Sequence, residues 1–145
     1  MDADVAPVHE VTDELVAAMA RLLPQLAPSA AALDARRLQQ IVDADATTVL
    51  VARTADGIVG TLTLVLFVVP TGRRARIEDV VVDRTARGRG IGAALTLEAV
   101  RFARAAGART IDLTSRPSRQ AANRLYERLG FNARESRVYR YSRQL

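Results

Sequence analysis

Ile77-Glu78-Asp79-Val80-Val81-Val82-Asp83-Arg84-Thr85-Ala86-Arg87-Gly88-Arg89-Gly90-Ile91-Gly92-Ala93 runs from strand-forming residues through a glycine-rich turn into a helical pattern. Arg74 to Asp83 reads as a strand. From Ile91 to Ala106 the apolar residues Ile91, Leu95, Ala99, Phe102 and Ala106 recur at helical spacing, and Gly107 suits the left-handed position that ends a helix. Arg87 to Ala93 therefore lies where backbone N–H groups at a helix start converge on an anion. Gly90 and Gly92 would let the backbone approach phosphate oxygens with no Cβ in the way, and Arg87 and Arg89 add charge. Taken alone, such a loop fits a structural turn equally well.

Upstream, Thr12-Asp13-Glu14 supplies an N-cap and first-turn acids, and Val11 and Val16 sit where a hydrophobic staple would. Leu15, Met19, Leu22 and Leu26 recur at helical spacing, so a helix is expected to run to about Leu23, where Pro24 closes it. Ser29 is placed to cap a second helix with Ala31, Ala35, Leu38 and Val42 on its buried face, ended by Asp43-Ala44-Asp45. The period then changes: Thr47 to Thr54 is a strand, Asp56-Gly57 a hairpin turn and Ile58 to Val69 a second strand. Downstream, Arg109 to Thr114 reads as a strand. Ser118 caps a last helix with Ala122, Leu125 and Leu129 inward and Gly130 at its end, and Arg137 to Tyr141 makes a closing strand. Repeats, linkers and low-complexity tracts are absent, so a single domain over residues 1–145 is expected.

A chain of 145 residues is long enough to bury roughly 70% of the surface its unfolded form exposes. It has no cysteine and a single histidine, His9, which removes disulfides, thiolate nucleophiles and histidine triads and argues against a metal site. All 21 basic residues are arginine; without lysine there is neither Schiff-base chemistry nor a phosphate loop of the lysine-dependent kind. Met1 to Gly72 holds four arginines against nine acids, and Arg73 to Leu145 seventeen against seven, so a net of −5 precedes a net of +10. The basic half calls for an anionic ligand. No apolar run reaches the ~20 residues of a membrane helix, and Met1 to Val8 lacks the order of a signal peptide, so a cytoplasmic protein is expected.

Arg-x-x-Gly-x-Gly at Arg87 to Gly92, after a strand ending Val80-Val81-Val82-Asp83, is followed by Ala122-Asn123-Arg124-Leu125-Tyr126-Glu127-Arg128-Leu129-Gly130-Phe131. These two motifs in this order resemble the GNAT acetyltransferases, and the order of elements from Thr12 to Tyr141 is similar to that fold. The resemblance implies an α+β fold with a central, mixed but mostly antiparallel sheet of about six to seven strands flanked by about four helices. A dinucleotide-binding fold fits less well. Asp112 stands at a suitable distance, but Ala93 replaces the third glycine and the N-terminal half lacks alternating βαβ units.

The resemblance further implies acetyl-coenzyme A (acetyl-CoA) as co-substrate and no metal. Val80, Val81 and Val82 match a bulged strand whose backbone holds the pantetheine arm, and Arg87, Gly88, Arg89, Gly90, Ile91, Gly92 and Ala93 match the pyrophosphate loop. The acceptor must attack as a neutral amine, which an alkylamine of pKa ~10.4 supplies only sparsely near neutrality, so a base within reach is expected. Glu78 is the first candidate and Asp79 the second, since alternate strand residues point to opposite faces and only one would face the amine. The bland alternative for Glu78 is an ion pair with Arg74 or Arg76. Tyr126 matches the family's tyrosine that protonates the departing thiolate, and a backbone N–H near Val80 or Val81 would polarise the carbonyl. Where many relatives carry a pantetheine-contacting asparagine this chain has Arg119, with Asn123 one turn on; either takes that place.

The activity expected is transfer of acetyl to a primary amine within a ternary complex, the acceptor being a small molecule or a peptide. A non-catalytic acetyl-CoA sensor is the alternative. Nucleic-acid binding is not expected, because only three Phe and three Tyr occur beside 21 arginines, too few aromatics for the stacking that single-strand binding uses. A membrane partner is not expected either, and a homodimer is compatible with the reading.

Overall fold

A computed structural model of the chain describes residues 3–143. It divides into two compact units, one running to Thr114 and one starting at Ser115. In chain order the first unit contains β1 (Asp4–Pro7), α1 (Asp13–Leu26), α2 (Ala35–Asp43), β2 (Thr47–Thr54), β3 (Gly57–Val69), β4 (Gly72–Val82), a 3-10 turn (Arg84–Ala86), α3 (Ile91–Ala105) and β5 (Thr110–Asp112). The second contains α4 (Gln120–Arg128).

The strands form one sheet in the order β1-β2-β3-β4-β5. Neighbours are antiparallel from β1 to β4, and β5 lies parallel to β4. The α+β class and the mixed, mostly antiparallel sheet are as expected, whereas the described residues contain five strands rather than six to seven. The expected closing strand from Arg137 to Tyr141 is irregular. Val138, Tyr139 and Tyr141 are exposed, so this segment buries no apolar face, and strand propensity without burial or a partner does not hold a strand. Conversely, β1 escaped the sequence reading because it is only four residues long. It pairs with β2 at the sheet edge, where Pro7, lacking an N–H, is tolerated.

Successive strand residues face opposite sides of the sheet, and β3 shows what covers each side. A Cβ on Gly60 would lie 3.1 Å from Leu95 and 3.2 Å from Ile91, both on α3. Its neighbour Thr61 faces a cavity shared with Met19 of α1 and Leu38 of α2. The α1/α2 side carries a core of Leu15, Ala18, Met19, Leu22, Leu38, Val49, Val51, Ile58 and Val81. Leu22 is fully buried there, so Leu22→Ala is expected to destabilise the fold by about 2–5 kcal/mol, read as a lowered urea midpoint.

Three helix expectations are corrected. In α1, Thr12 caps as expected, its Oγ1 accepting from the Leu15 N–H at 3.1 Å, but the helix continues through Pro24 to Leu26. Pro24 stands one turn from the end, so the single intrahelical bond it removes is to the carbonyl of Ala20, an exposed residue. Ser29 does not start α2; the cap is Asp34, whose Oδ1 accepts from the Arg37 N–H at 2.8 Å, an arrangement aspartate favours at a helix start. In α3 the buried stripe is Ile91, Leu95, Thr96, Ala99 and Ala103. Phe102 is displaced to the margin, where the Arg101 guanidinium lies 5.2 Å over its ring.

In the second unit, Ser118 does not cap α4, whose N-cap is Arg119 without a side-chain bond, but the helix ends as Leu129-Gly130-Phe131 suggests. Gly130 has φ 98°, its N–H donates to the Glu127 carbonyl at 3.1 Å, and the Phe131 N–H reaches the Tyr126 carbonyl at 2.9 Å. This is the Schellman closure. Its accompanying apolar contact is the edge-to-face pair of Tyr126 and Phe131, ring centroids 6.0 Å apart. The Tyr-to-Phe spacing of the motif is thus a helix stop that also orients the tyrosine.

Candidate active site

Along the β3–β4 ladder Thr61 pairs with Val81 and Thr63 with Glu78. One residue of β3, Leu62, therefore opposes two of β4, Asp79 and Val80, which is a β-bulge. Asp79 takes φ 52°, a left-handed conformation that aspartate adopts more readily than most residues. The bulge expected from the family resemblance is present, and it overturns the argument that only one of the two acids can face the acceptor side. Thr61 and Thr63, two residues apart, share a face, so their partners Val81 and Glu78 share it too although three residues separate them. Strict alternation fails at this point, and Asp79 opens on that same side.

The two carboxylates have different surroundings. Glu78 accepts from Arg76 Nε at 2.5 Å, and Arg76 Nη2 donates onward to Thr114 Oγ1 at 2.6 Å. The ion pair foreseen for Glu78 is thus present. Asp79 instead borders a small cavity of about 60 Å³ between α1, α2 and the sheet, lined also by Met19, Leu23, Leu38, Ile41 and Thr63. Asp79 is exposed as a residue, yet partial burial of its carboxyl raises its pKa from the ordinary value, and the charge of Glu78 adds to the rise. A carboxylate tuned in this way is a better proton acceptor than a free aspartate.

From the bulge β4 runs three residues to Asp83, whose importance the sequence reading missed. Asp83 Oδ1 accepts from the Thr85 N–H at 3.2 Å and from Thr85 Oγ1 at 3.0 Å, capping the 3-10 turn. Its Oδ2 accepts from Arg21 Nε of α1 at 3.0 Å. Arg21 Nη2 also donates to the Ile58 carbonyl, and the Arg84 N–H reaches Gln25 Oε1 of α1 at 2.9 Å. The Thr85 backbone N–H chiefly, with burial opposing and Arg21 assisting, holds the Asp83 carboxyl below its usual range. The Asp-x-Thr spacing at Asp83 and Thr85 is the signal that could have disclosed this turn.

The loop after the 3-10 turn needs its glycines. Gly88 has φ 79° and Gly90 φ 77°, values that residues with a Cβ rarely take. Gly90 is the N-cap of α3 and gives no side-chain cap. The first N–H groups of α3, including those of Ile91, Gly92 and Ala93, have no intrahelical acceptor. Arg87 Nε donates to the Val82 carbonyl at 3.2 Å, and Arg89 is exposed. Val80, Val81 and Val82, the two acids and Arg87 to Ala93 thus follow one another within the first unit.

The remaining candidates belong to the second unit. Tyr126 is buried. Burial raises its phenol pKa and the Arg119 charge partly opposes the rise, so the hydroxyl keeps its proton near neutrality. Arg119 is the N-cap of α4 without a side-chain cap bond. Asn123 Nδ2 donates to the Arg116 carbonyl at 3.1 Å, so its amide already fixes the entry to α4.

The sequence pattern of the acetyltransferase (GNAT) family matches residues 11–131, most of the chain. The chain belongs to this family. An uncharacterized N-acetyltransferase of Methanocaldococcus jannaschii is 39% identical over 61 residues, which are 42% of this chain and 27% of that relative. The chain thus spans about a quarter of that relative's length. Among solved structures, a Trypanosoma brucei acetyltransferase is 26% identical with a TM-score of 0.77, covering 97% of this chain and 100% of that one. An aminoglycoside acetyltransferase from an uncultured soil metagenomic sample, solved with trehalose, is 22% identical with a TM-score of 0.85 and covers 99% and 97%. At that identity it shows the GNAT fold alone.

Proposed function

We propose that the protein is an acetyl-CoA-dependent N-acetyltransferase that acetylates a primary amine by direct attack within a ternary complex. The observation that carries this reading is the β4 bulge, which stands between a pocket bordered by Asp79 and a glycine loop with uncapped N–H groups. Acetyl-CoA would supply the thioester acyl group, its pyrophosphate held by the N–H groups and arginines of Arg87 to Ala93. The ladder groups released at Asp79 and Val80 support a strand-like grip on the pantetheine arm by Val80, Val81 and Val82. Arg119 or Asn123 would add a contact to that arm.

For the base we favour Asp79 over Glu78, because Glu78 is engaged by Arg76 while Asp79 opens on the pocket. The amine nitrogen bonds to the acyl carbon, its proton passes to Asp79 directly or through one water, and the carbon–sulfur bond breaks. The thiolate takes its proton from Tyr126, the residue the family resemblance supplies, which solvent then reprotonates. A backbone N–H at the bulge polarises the carbonyl.

The test is thiol release from acetyl-CoA across a broad panel of primary amines, with acetyl-CoA affinity measured by calorimetry alongside. Amine-dependent release is the expected result. Tight acetyl-CoA binding without release from any amine would leave a sensor in place of an enzyme.

A further inference from the structure

The walls of the Asp79 pocket restrict which amine it accepts. Met19 and Leu23 of α1, Leu38 and Ile41 of α2 and Val49 of β2 present only hydrocarbon or thioether surface. Of the polar groups, Thr61 is already committed, its Oγ1 donating to the Leu50 carbonyl at 2.9 Å. That leaves the Thr63 hydroxyl and the Asp79 carboxylate, both on the sheet side. The pocket therefore has an acidic end and an apolar body.

We infer that the acceptor is a primary amine carried on an apolar stem, with its nitrogen at Asp79 and its stem against Met19, Leu23, Leu38 and Ile41. The inference rests on the acetyltransferase reading and narrows its substrate class. One carboxylate and one hydroxyl satisfy one ammonium or amine head. A second charged or hydroxylated group further along the same molecule would lie against the apolar walls without a partner, and an unpaired polar group removed from water is strongly disfavoured. A stem of methylenes or an aromatic ring gains from the same walls, by about fourfold in affinity for each methylene buried. Met19 and Leu38 belong to the buried cluster, whereas Leu23, Leu33 and Ile41 are only partly buried against it, so the stem would enter along the latter three.

The experiment compares n-pentylamine with 1,5-diaminopentane, two amines of equal length that differ in a terminal ammonium, by acetyl-CoA-dependent thiol release. Expected is a kcat/KM at least about tenfold higher for the monoamine, rising by about threefold to fourfold per added methylene from propylamine upward until the pocket is filled. Ile41→Asp, which puts a second carboxylate on the wall, is expected to narrow or invert the preference, and the wild-type comparison stands even if that variant folds poorly. Equal or better turnover of the diamine, or of a polyhydroxylated polyamine such as kanamycin, would overturn the apolar-stem inference while leaving the enzyme an acetyltransferase. Thiol release from none of these amines would overturn the transferase reading and the inference together.

Discussion

Asp79→Asn is expected to lower kcat/KM for the amine by about 10²–10⁴-fold, the usual worth of a general base, without loss of folding stability. The two halves of that expectation come from the same surroundings. Burial and the Glu78 charge raise the Asp79 pKa in the folded chain. A carboxyl so raised binds more protons folded than unfolded, so stability falls as pH climbs from the ordinary value through the raised one and stays lowered above it. Where the group is ionised this shift works modestly against the fold, discounted by solvent screening of an exposed residue, and the neutral amide removes it. Asparagine also accepts the left-handed conformation at φ 52°. The wild-type rate should rise with pH through the raised carboxyl pKa. The variant's rate should follow the amine's own ionisation, so that the gap closes toward pH ~10. Glu78→Gln is the control, and a loss below about tenfold is expected because Arg76 holds that carboxylate away from proton transfer. The opposite ranking would return the base to Glu78, and losses under about threefold for both would mean that positioning and a backbone donor suffice.

Gly92→Val is expected to weaken acetyl-CoA binding at least about 100-fold, or about 2.7 kcal/mol, as measured by calorimetry. Gly92 lies in the first turn of α3, one residue past the N-terminal Ile91, and it is not among the residues of left-handed φ. Valine is no poorer a helix former than glycine, so the backbone is not penalised, while its branched side chain, tilted toward the helix N-terminus, adds bulk beside the uncapped N–H groups. Circular dichroism and the urea midpoint should stay close to wild type. Gly88→Ala makes the contrast. Its Cβ would meet nothing within 4 Å, so any loss there reflects the strain of φ 79° on a residue with a side chain. Unchanged affinity in Gly92→Val would remove the loop from the phosphate assignment.

What the sequence disclosed and what it withheld divide along physical lines. The strands from Thr47 to Val82, helix α3 and the Gly90 and Gly130 turns were legible because each is specified locally, by alternation, by helical period or by glycine at a left-handed position. Pro24 and Ser29 misled because both are local signals overruled by a neighbour: the packing of Leu22 and Leu26 carries α1 onward, and Asp34 caps the helix that Leu38 anchors in the core. The closing strand failed for want of burial, which no run of residues specifies on its own. At the site, the bulge was anticipated through the family resemblance alone. Nothing in Glu78-Asp79-Val80 announces that Leu62 faces two residues, and the different fates of the two acids follow from that pairing. The Arg21–Asp83 contact joins residues 62 positions apart and was beyond any local reading.

The left-handed turn at Asp79 also bears on how such a protein changes over generations. That conformation favours glycine, asparagine and aspartate over most residues, whereas the proposed proton transfer calls for a carboxylate, and of those three only aspartate supplies one. Glutamate would keep the acid and strain the chain. Asparagine and glycine would spare the chain, and each lies a single nucleotide change from an aspartate codon. On the proposed mechanism, one such change would slow the chemistry and leave the glycine loop untouched. A lineage carrying this bulge would then stand one mutational step from a folded protein that holds acetyl-CoA and consumes it far more slowly, and the reverse step is equally short.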